Sequence, residues 1–226
     1  MSVNIHFLGH AGFVLTAGKH TVVIDPFITG NPRCKAHVQD INATHIVLTH
    51  GHGDHFGNTI EIAERTGAIV LTVNEIAEYL GEKGLTKLEP MNPGGRVDTG
   101  FGYVALTQAF HSSSYDGRYM GMPAGAIIHL AGKTFYHTGD TGIFSDMKLI
   151  GEIYKPDVAM ICAGDRFTMG PELAARAAEM IKPKIAIPIH FGTFGLLADE
   201  DTVRRGFKPD GVEVKLMKPG ETFDLG

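Results

Sequence analysis

The 226-residue sequence has no tryptophan and two cysteines, and it lacks any apolar run near the roughly 20 residues that a membrane helix needs. Cys34 and Cys162 lie far apart and outside any C-x-x-C pattern. That spacing argues against a thiolate zinc site and a disulfide framework, and it suits a reducing, cytoplasmic setting. The opening residues carry neither the basic nor the apolar stretch of a signal peptide, so the expectation is a soluble protein without a membrane partner. Basic residues are also scarce, 20 against 25 acidic ones, for a net charge of −5. No basic block stands out and no nucleic-acid footprint is visible, although bound cations would add positive charge that this count omits.

What is present is an ordinary globular balance, 43% hydrophobic and 20% charged residues, long enough to bury a sizeable core. The first quarter reads as short strands over residues 4–8, 13–17 and 21–25, punctuated by Gly9, Gly12 and Gly18. A polar loop from Pro26 to Asn42 precedes the apolar run His45–Thr49. Asn58 is placed to cap a helix over residues 59–65, a buried strand follows at 68–73, and Asn74 opens a second helix. The pattern then restarts, with strands at 104–110, 126–131 and 134–137 and apolar runs at 158–161 and 185–189 separated by helical stretches. Pro171 and Glu172 mark the first turn of a helix reaching about Ile181. A meander followed by β/α alternation, seen once in each half, predicts an α/β (α+β) fold. In it, two mixed β-sheets pack face to face with helices outside, in one domain over residues 1–226.

The chemistry concentrates in Thr49-His50-Gly51-His52-Gly53-Asp54-His55, directly after an apolar strand. In extended backbone His50 and His52 point the same way, and the two glycines leave room for a turn that brings Asp54 and His55 to the same centre. Neutral imidazole and carboxylate suit Zn²⁺, Mn²⁺ or Fe²⁺. His111, Asp140 and His190 each follow an apolar strand, as His50 does. Strand C-terminal edges are where α/β sheets bind ligands, so the four segments are expected to converge.

These residues resemble the metallo-β-lactamase fold superfamily: His50 to His55 matches its H-x-H-x-D-H signature, and His111, Asp140 and His190 match its later ligands in order. The resemblance implies a four-layer αβ/βα sandwich with two divalent metal ions at one edge. It places His50, His52 and His111 on one ion and Asp54, His55 and His190 on the other, with Asp140 bridging and a hydroxide between them. The run Gly9-His10-Ala11-Gly12-Phe13 looks like the ascorbate-6-phosphate lactonase-like branch of metal-dependent hydrolases, in which His10 would contact substrate or leaving group; the alternative is a turn histidine.

Asp25 ends a buried strand and is expected to orient a ligating imidazole, the other option being a loop cap. His137 either supports the ligands or is a strand residue. Arg166 is a candidate for an anionic substrate or else a solvated charge, and Asp165 or Thr168 is placed to cap the helix that follows. Cys162 reads as a small buried residue, and Ser112 to Ser114 as a loop, there being no G-x-S-x-G elbow. The function expected is hydrolysis of a small, anionic lactone, phosphodiester or other ester, with Asp54 and His10 beside the reacting group. The competing readings are a nuclease or RNA-processing enzyme of the same superfamily, a di-iron redox protein on the same scaffold and a non-catalytic metal module. A homo-oligomer is among the assemblies left open.

Overall fold

The meander-then-alternation pattern repeats because each half supplies the body of one seven-stranded sheet, the first completed by the C-terminal strand. The computed structural model describes residues 2–226. The N-terminal half contains β1 (Val3–Gly9), β2 (Gly12–Ala17), β3 (His20–Ile24), β4 (His45–Val47), a one-turn helix α1 (Gly53–Phe56), α2 (Thr59–Thr66), β5 (Ile69–Val73), α3 (Asn74–Glu82) and β6 (Leu88–Met91). The C-terminal half runs through β7 (Arg96–Thr99), β8 (Gly102–Gln108), the hairpin of β9 (Ser114–Tyr115) and β10 (Arg118–Tyr119), β11 (Ala124–Leu130) and β12 (Lys133–His137). It continues with α4 (Met147–Tyr154), β13 (Val158–Cys162), α5 (Pro171–Ile181), β14 (Ile185–Ile189), α6 (Glu200–Gly206), β15 (Glu213–Val214) and β16 (Thr222–Leu225).

The first sheet has the order β16-β1-β2-β3-β4-β5-β6 and the second β15-β14-β13-β12-β11-β8-β7. Both are mixed: β1 to β3 pair antiparallel and β3 to β6 parallel, while β8, β11 and β12 pair antiparallel and β12 to β15 parallel. Parallel strands covered on both faces read as continuous apolar runs, and β13 is buried at every position. One apolar core joins the two sheets, drawing on Ile5, Phe13, Ile24 and Ile46 from the first and Leu106, Ile127, Phe135 and Met160 from the second. Helix α3 packs on β5 and β6, and α5 packs on β13 between α4 and α6. The expected pair of face-to-face mixed sheets is the architecture found. Among the described residues no helix is long and apolar enough to cross a membrane.

Backbone bonds between the halves tie the site edge together: Ala124 N–H donates to Thr49 O at 3.0 Å and His190 N–H to His10 O at 2.8 Å. Three local expectations are corrected. Asn58 precedes α2 but does not cap it with its side chain. Its Oδ1 accepts instead from the Ile28 and Thr29 amides, a tertiary demand that outcompetes the cap. Helix α5 has Gly170 at its N-cap with no side-chain bond, so neither Asp165 nor Thr168 caps it. The serine run is not wholly a loop: Ser114 opens the β9–β10 hairpin, which is pinned where Met120, fully buried, packs on Gly51.

Candidate metal centre

Strand ends deliver the donors. His50 lies three residues past β4, His111 three past β8, Asp140 three past β12 and His190 directly after β14. Asp54 and His55 occupy the first turn of α1. Neither Gly51 nor Gly53 adopts positive φ. The chain turns by starting a helix, and Gly51 is needed because a Cβ there would meet Met120 Cβ at 2.4 Å. Strain sits elsewhere: His10, Asp25 and His190 all hold left-handed backbone, with φ of 59, 43 and 62°.

The Asp140 carboxylate is the hub. Its Oδ2 lies 2.9 Å from His190 Nε2, 3.5 Å from His111 Nε2 and 4.0 Å from His50 Nε2, and its Oδ1 lies 3.4 Å from His55 Nε2. His50 Nε2 and His52 Nδ1 are 3.0 Å apart, close enough to share one cation. Asp54 Oδ2 is 3.8 Å from His190 Nε2. Three overlapping donor sets result, each with ligand atoms within 4.8 Å of one another: His50, His52 and His111; His50, His55 and Asp140; and His10, Asp54, His55 and His190. All seven residues expected to ligate therefore come together, and His10 joins them.

Asp25 sets the tautomers. His55 Nδ1–H donates to Asp25 Oδ2 at 2.7 Å, so the lone pair on Nε2 points into the cluster. The Thr49 hydroxyl donates to the same oxygen at 2.7 Å, and Thr49 N–H donates to Oδ1 at 2.9 Å. With its proton so committed, Thr49 Oγ1 accepts from His50 Nδ1–H at 3.0 Å, which turns the His50 Nε2 lone pair inward too. One buried carboxylate thus readies two imidazoles for coordination, one of them through a threonine. The adjoining sequence position was the only hint of Thr49's part.

The remaining neighbours are equally specific. His10 Nε2–H donates to Asp54 Oδ2 at 3.0 Å, and Thr193 Oγ1 holds His10 Nδ1 at 3.0 Å. Ser112 Oγ lies 3.3 Å from His52 Nε2, and Ser113 Oγ accepts from Gly51 N–H at 3.0 Å. The serine run read as a bare loop therefore props the ligand segment; its adjacency to His111 was the available signal. His137 faces away, donating from Nε2 to Ala11 O at 2.8 Å and accepting at Nδ1 from Gly139 N–H at 3.1 Å. It thereby braces the turn that carries Asp140. Arg166 is exposed, with φ of 47°, and Cys162 is fully buried, its thiol pushed up to about 11 by burial.

The electrostatics call for a cation. Burial would raise the Asp140 carboxyl, but His190 and His55 outweigh it and hold the group well below the usual range. Asp54 is likewise raised by burial and then brought lower by the hydrogen bond from His10 and the charge on His55. Burial pushes His55 down, yet Asp140 and Asp25 raise it well above an ordinary histidine, so the centre draws a proton where no metal balances its carboxylates. His10 moves the other way, to about 4, through burial and the nearby His190. Among buried side-chain atoms, His55 Nε2 and Asp140 Oδ1 have no hydrogen-bond partner. Unpartnered donors, nitrogen and carboxylate chemistry and inward lone pairs together fit divalent metal.

Known proteins agree. The family model for the beta-lactamase superfamily domain matches residues 20–191. A UPF0173 metal-dependent hydrolase of a Geobacillus species is 47% identical over 230 residues, spanning all of both chains. One from Thermus thermophilus is 45% identical over 225 residues and 99% of each chain. Among solved structures, a metallo hydrolase of the hyperthermophilic archaeon Ignicoccus hospitalis superposes with a TM-score of 0.90 at 36% identity, covering 100% of this chain and 99% of that one. By sequence, fold and donor set alike, the chain belongs to the beta-lactamase superfamily, within its UPF0173 group of metal-dependent hydrolases.

Proposed function

We propose that the chain hydrolyses an ester-type bond (lactone, phosphodiester or other ester) in a small molecule, using two divalent cations. His50, His52 and His111 would hold one and Asp54, His55 and His190 the other, with Asp140 between them. The observation that carries this reading is the Asp140 carboxylate, set within 4.0 Å of four imidazole nitrogens that come from three other segments of the chain. When bound, such a pair acidifies a water molecule and stabilises negative charge that develops on the substrate. Zn²⁺ suits the donors best, and Mn²⁺ or Fe²⁺ are the other candidates. The relatives' name, metal-dependent hydrolase, supports the same reaction class.

The protein's own groups divide the remaining work. Asp25 and Thr49 keep the His55 and His50 rings in their ligating tautomers. Asp54 is the most exposed of the three carboxylates, 28% against 2% or less for the others, and is the one placed to exchange a proton with entering water. His10 is buried and both its nitrogens are engaged, so it acts through Asp54 by holding Oδ2 in place. Arg166, exposed in the segment after β13 and in no ion pair among the described residues, is the cation assigned to an anionic substrate. Two free cysteines and the reaction type fit a cytoplasmic enzyme.

The test pairs elemental analysis of the purified protein with hydrolysis of lactones, phosphodiesters and thioesters. His50→Ala and Asp140→Ala should each lose bound metal and turnover together. Full turnover in a variant stripped of metal would overturn the reading.

A further inference from the structure

On the His111 side of the centre a cleft of about 910 Å³ opens between the end of β8 and the β9–β10 hairpin. His111 and Ser112 line it, so it is continuous with the donor cluster: Ser112 Oγ also touches His52. Its outer wall is apolar and exposed, with Phe110, Tyr119 and Met122 at 62, 67 and 55% of their full accessible area. Large apolar side chains left this open beside a polar centre mark a binding surface.

The amide, the guanidinium and one hydroxyl of the lining are already committed. Gln108 Nε2 donates to Asp146 Oδ2 at 3.1 Å. The Arg118 guanidinium is forked onto Glu82 and lies over the Tyr79 ring. Ser113 Oγ accepts from Gly51 and donates to Met120 O at 3.2 Å. No unpaired carboxylate or basic side chain therefore faces an occupant, and apart from the Ser112, Ser114 and Tyr119 hydroxyls the surface that remains is mostly hydrocarbon and aromatic. The walls are built in advance: Phe110 is held through its amide on Thr141 Oγ1 and packs on Phe144, and Tyr115 of the hairpin stacks on Phe56. A preformed cleft is a feature of ligand sites rather than of flexible surface.

We infer that this cleft takes the apolar acyl chain of the substrate, with the scissile acyl bond lying at the donor cluster. The inference rests on the proposed hydrolysis and narrows it to acyl esters or thioesters. Water adds to the acyl carbon, the bond from that carbon to the ester oxygen or thioester sulfur breaks, and a carboxylate, a proton and an alcohol or thiol leave. A second copy of the chain seated on this wall would cover His111, which lines the cleft, and this is why a substrate chain is the occupant chosen.

The experiment is calorimetric titration of the metal-loaded protein with sodium hexanoate, octanoate and decanoate, kept below micelle formation. Each methylene buried should tighten binding about fourfold, a step that follows from the transfer free energy of a methylene group. In the exposed-site variants Phe110→Ser and Met122→Ser, and in their combination, the dependence on chain length should flatten. Equal affinities across the wild-type series would overturn the inference, as would a steep series left unchanged by both substitutions. So would sedimentation showing that the double variant splits an oligomer while alkanoate affinity stays flat. Because binding is read without turnover, a steep series in a protein that hydrolyses nothing would count against the hydrolase reading and leave the cleft assignment standing.

Discussion

The two sheets share one pairing pattern, antiparallel strands followed by parallel ones, yet their equivalent loops carry different loads. After the third strand of each pattern stands a buried aspartate, Asp25 behind β3 and Asp140 behind β12. Asp140 faces inward-pointing nitrogens, whereas Asp25 grips the outer nitrogen of His55 and, through Thr49, that of His50. After the fourth strand the contrast is sharper. The segment behind β4 holds His50, His52, Asp54 and His55, while the one behind β13 holds no donor of the cluster and ends in the exposed pair Asp165 and Arg166. The scaffold repeats a geometry, and the loops decide whether a position binds metal, orients a ligand or faces solvent.

The largest effect should come from the inward aspartate. Asp140→Ala is expected to abolish hydrolysis and empty the centre, read by elemental analysis; if its metal content matched Asp25→Ala, the division between the two aspartates would fail. Asp25→Asn should keep the fold but weaken metal binding by about 10–100-fold, as loss of a ligand's orienting partner does, measured by competition with a chelator. Thr49→Val breaks only the path to His50 and should cost less than Asp25→Asn on the same scale. If Thr49→Val costs more, His55 is not the ligand that depends most on Asp25.

The two equivalent loops can also be compared through their glycines. A Cβ at Gly164 would lie 2.0 Å from His190 O, against backbone, while at Gly51 it would meet the Met120 side chain. Chemical denaturation should therefore show Gly164→Ala destabilised more than Gly51→Ala, the latter by about 1–3 kcal/mol for overpacking. The smallest effect is expected at the rim. Arg166→Ala should raise KM for an anionic substrate no more than about fivefold, the worth of an exposed ion pair, with kcat unchanged. A fall in kcat instead would move Arg166 from the rim to the reacting group.

Much of this was readable in advance. The motif from His50 to His55 and the donors at 111, 140 and 190 stood out because strand ends are set by local pattern: alternation or an apolar run stops, and the next residue lies on the sheet edge. The apolar run at 185–189 and His190 beyond it show the rule at work. Features made by partners far along the chain were hidden. Asn58 read as a helix cap, because nothing nearby reveals that the Ile28 and Thr29 amides would claim its oxygen. The edge strand β16, only four residues long and half exposed, pairs with β1 across almost the whole chain. The glycines of the ligand segment suggested room for a sharp turn, but Gly51 is small because Met120 arrives from the hairpin.

By itself, the sequence determined which donor atoms exist and that His50, His111, Asp140 and His190 would stand just past the end of a strand. Those outcomes depend on residue type and on side-chain period over a few neighbouring positions. Only the tertiary structure decided which nitrogen of each ring faces inward. A tautomer follows from its hydrogen-bond partner, and apart from Thr49 beside His50 those partners are remote: Asp25 reaches His55 from 30 positions away, and Thr193 reaches His10 from 183. Two sheets packed through one core bring these pairs within 3 Å, and no local pattern encodes that approach.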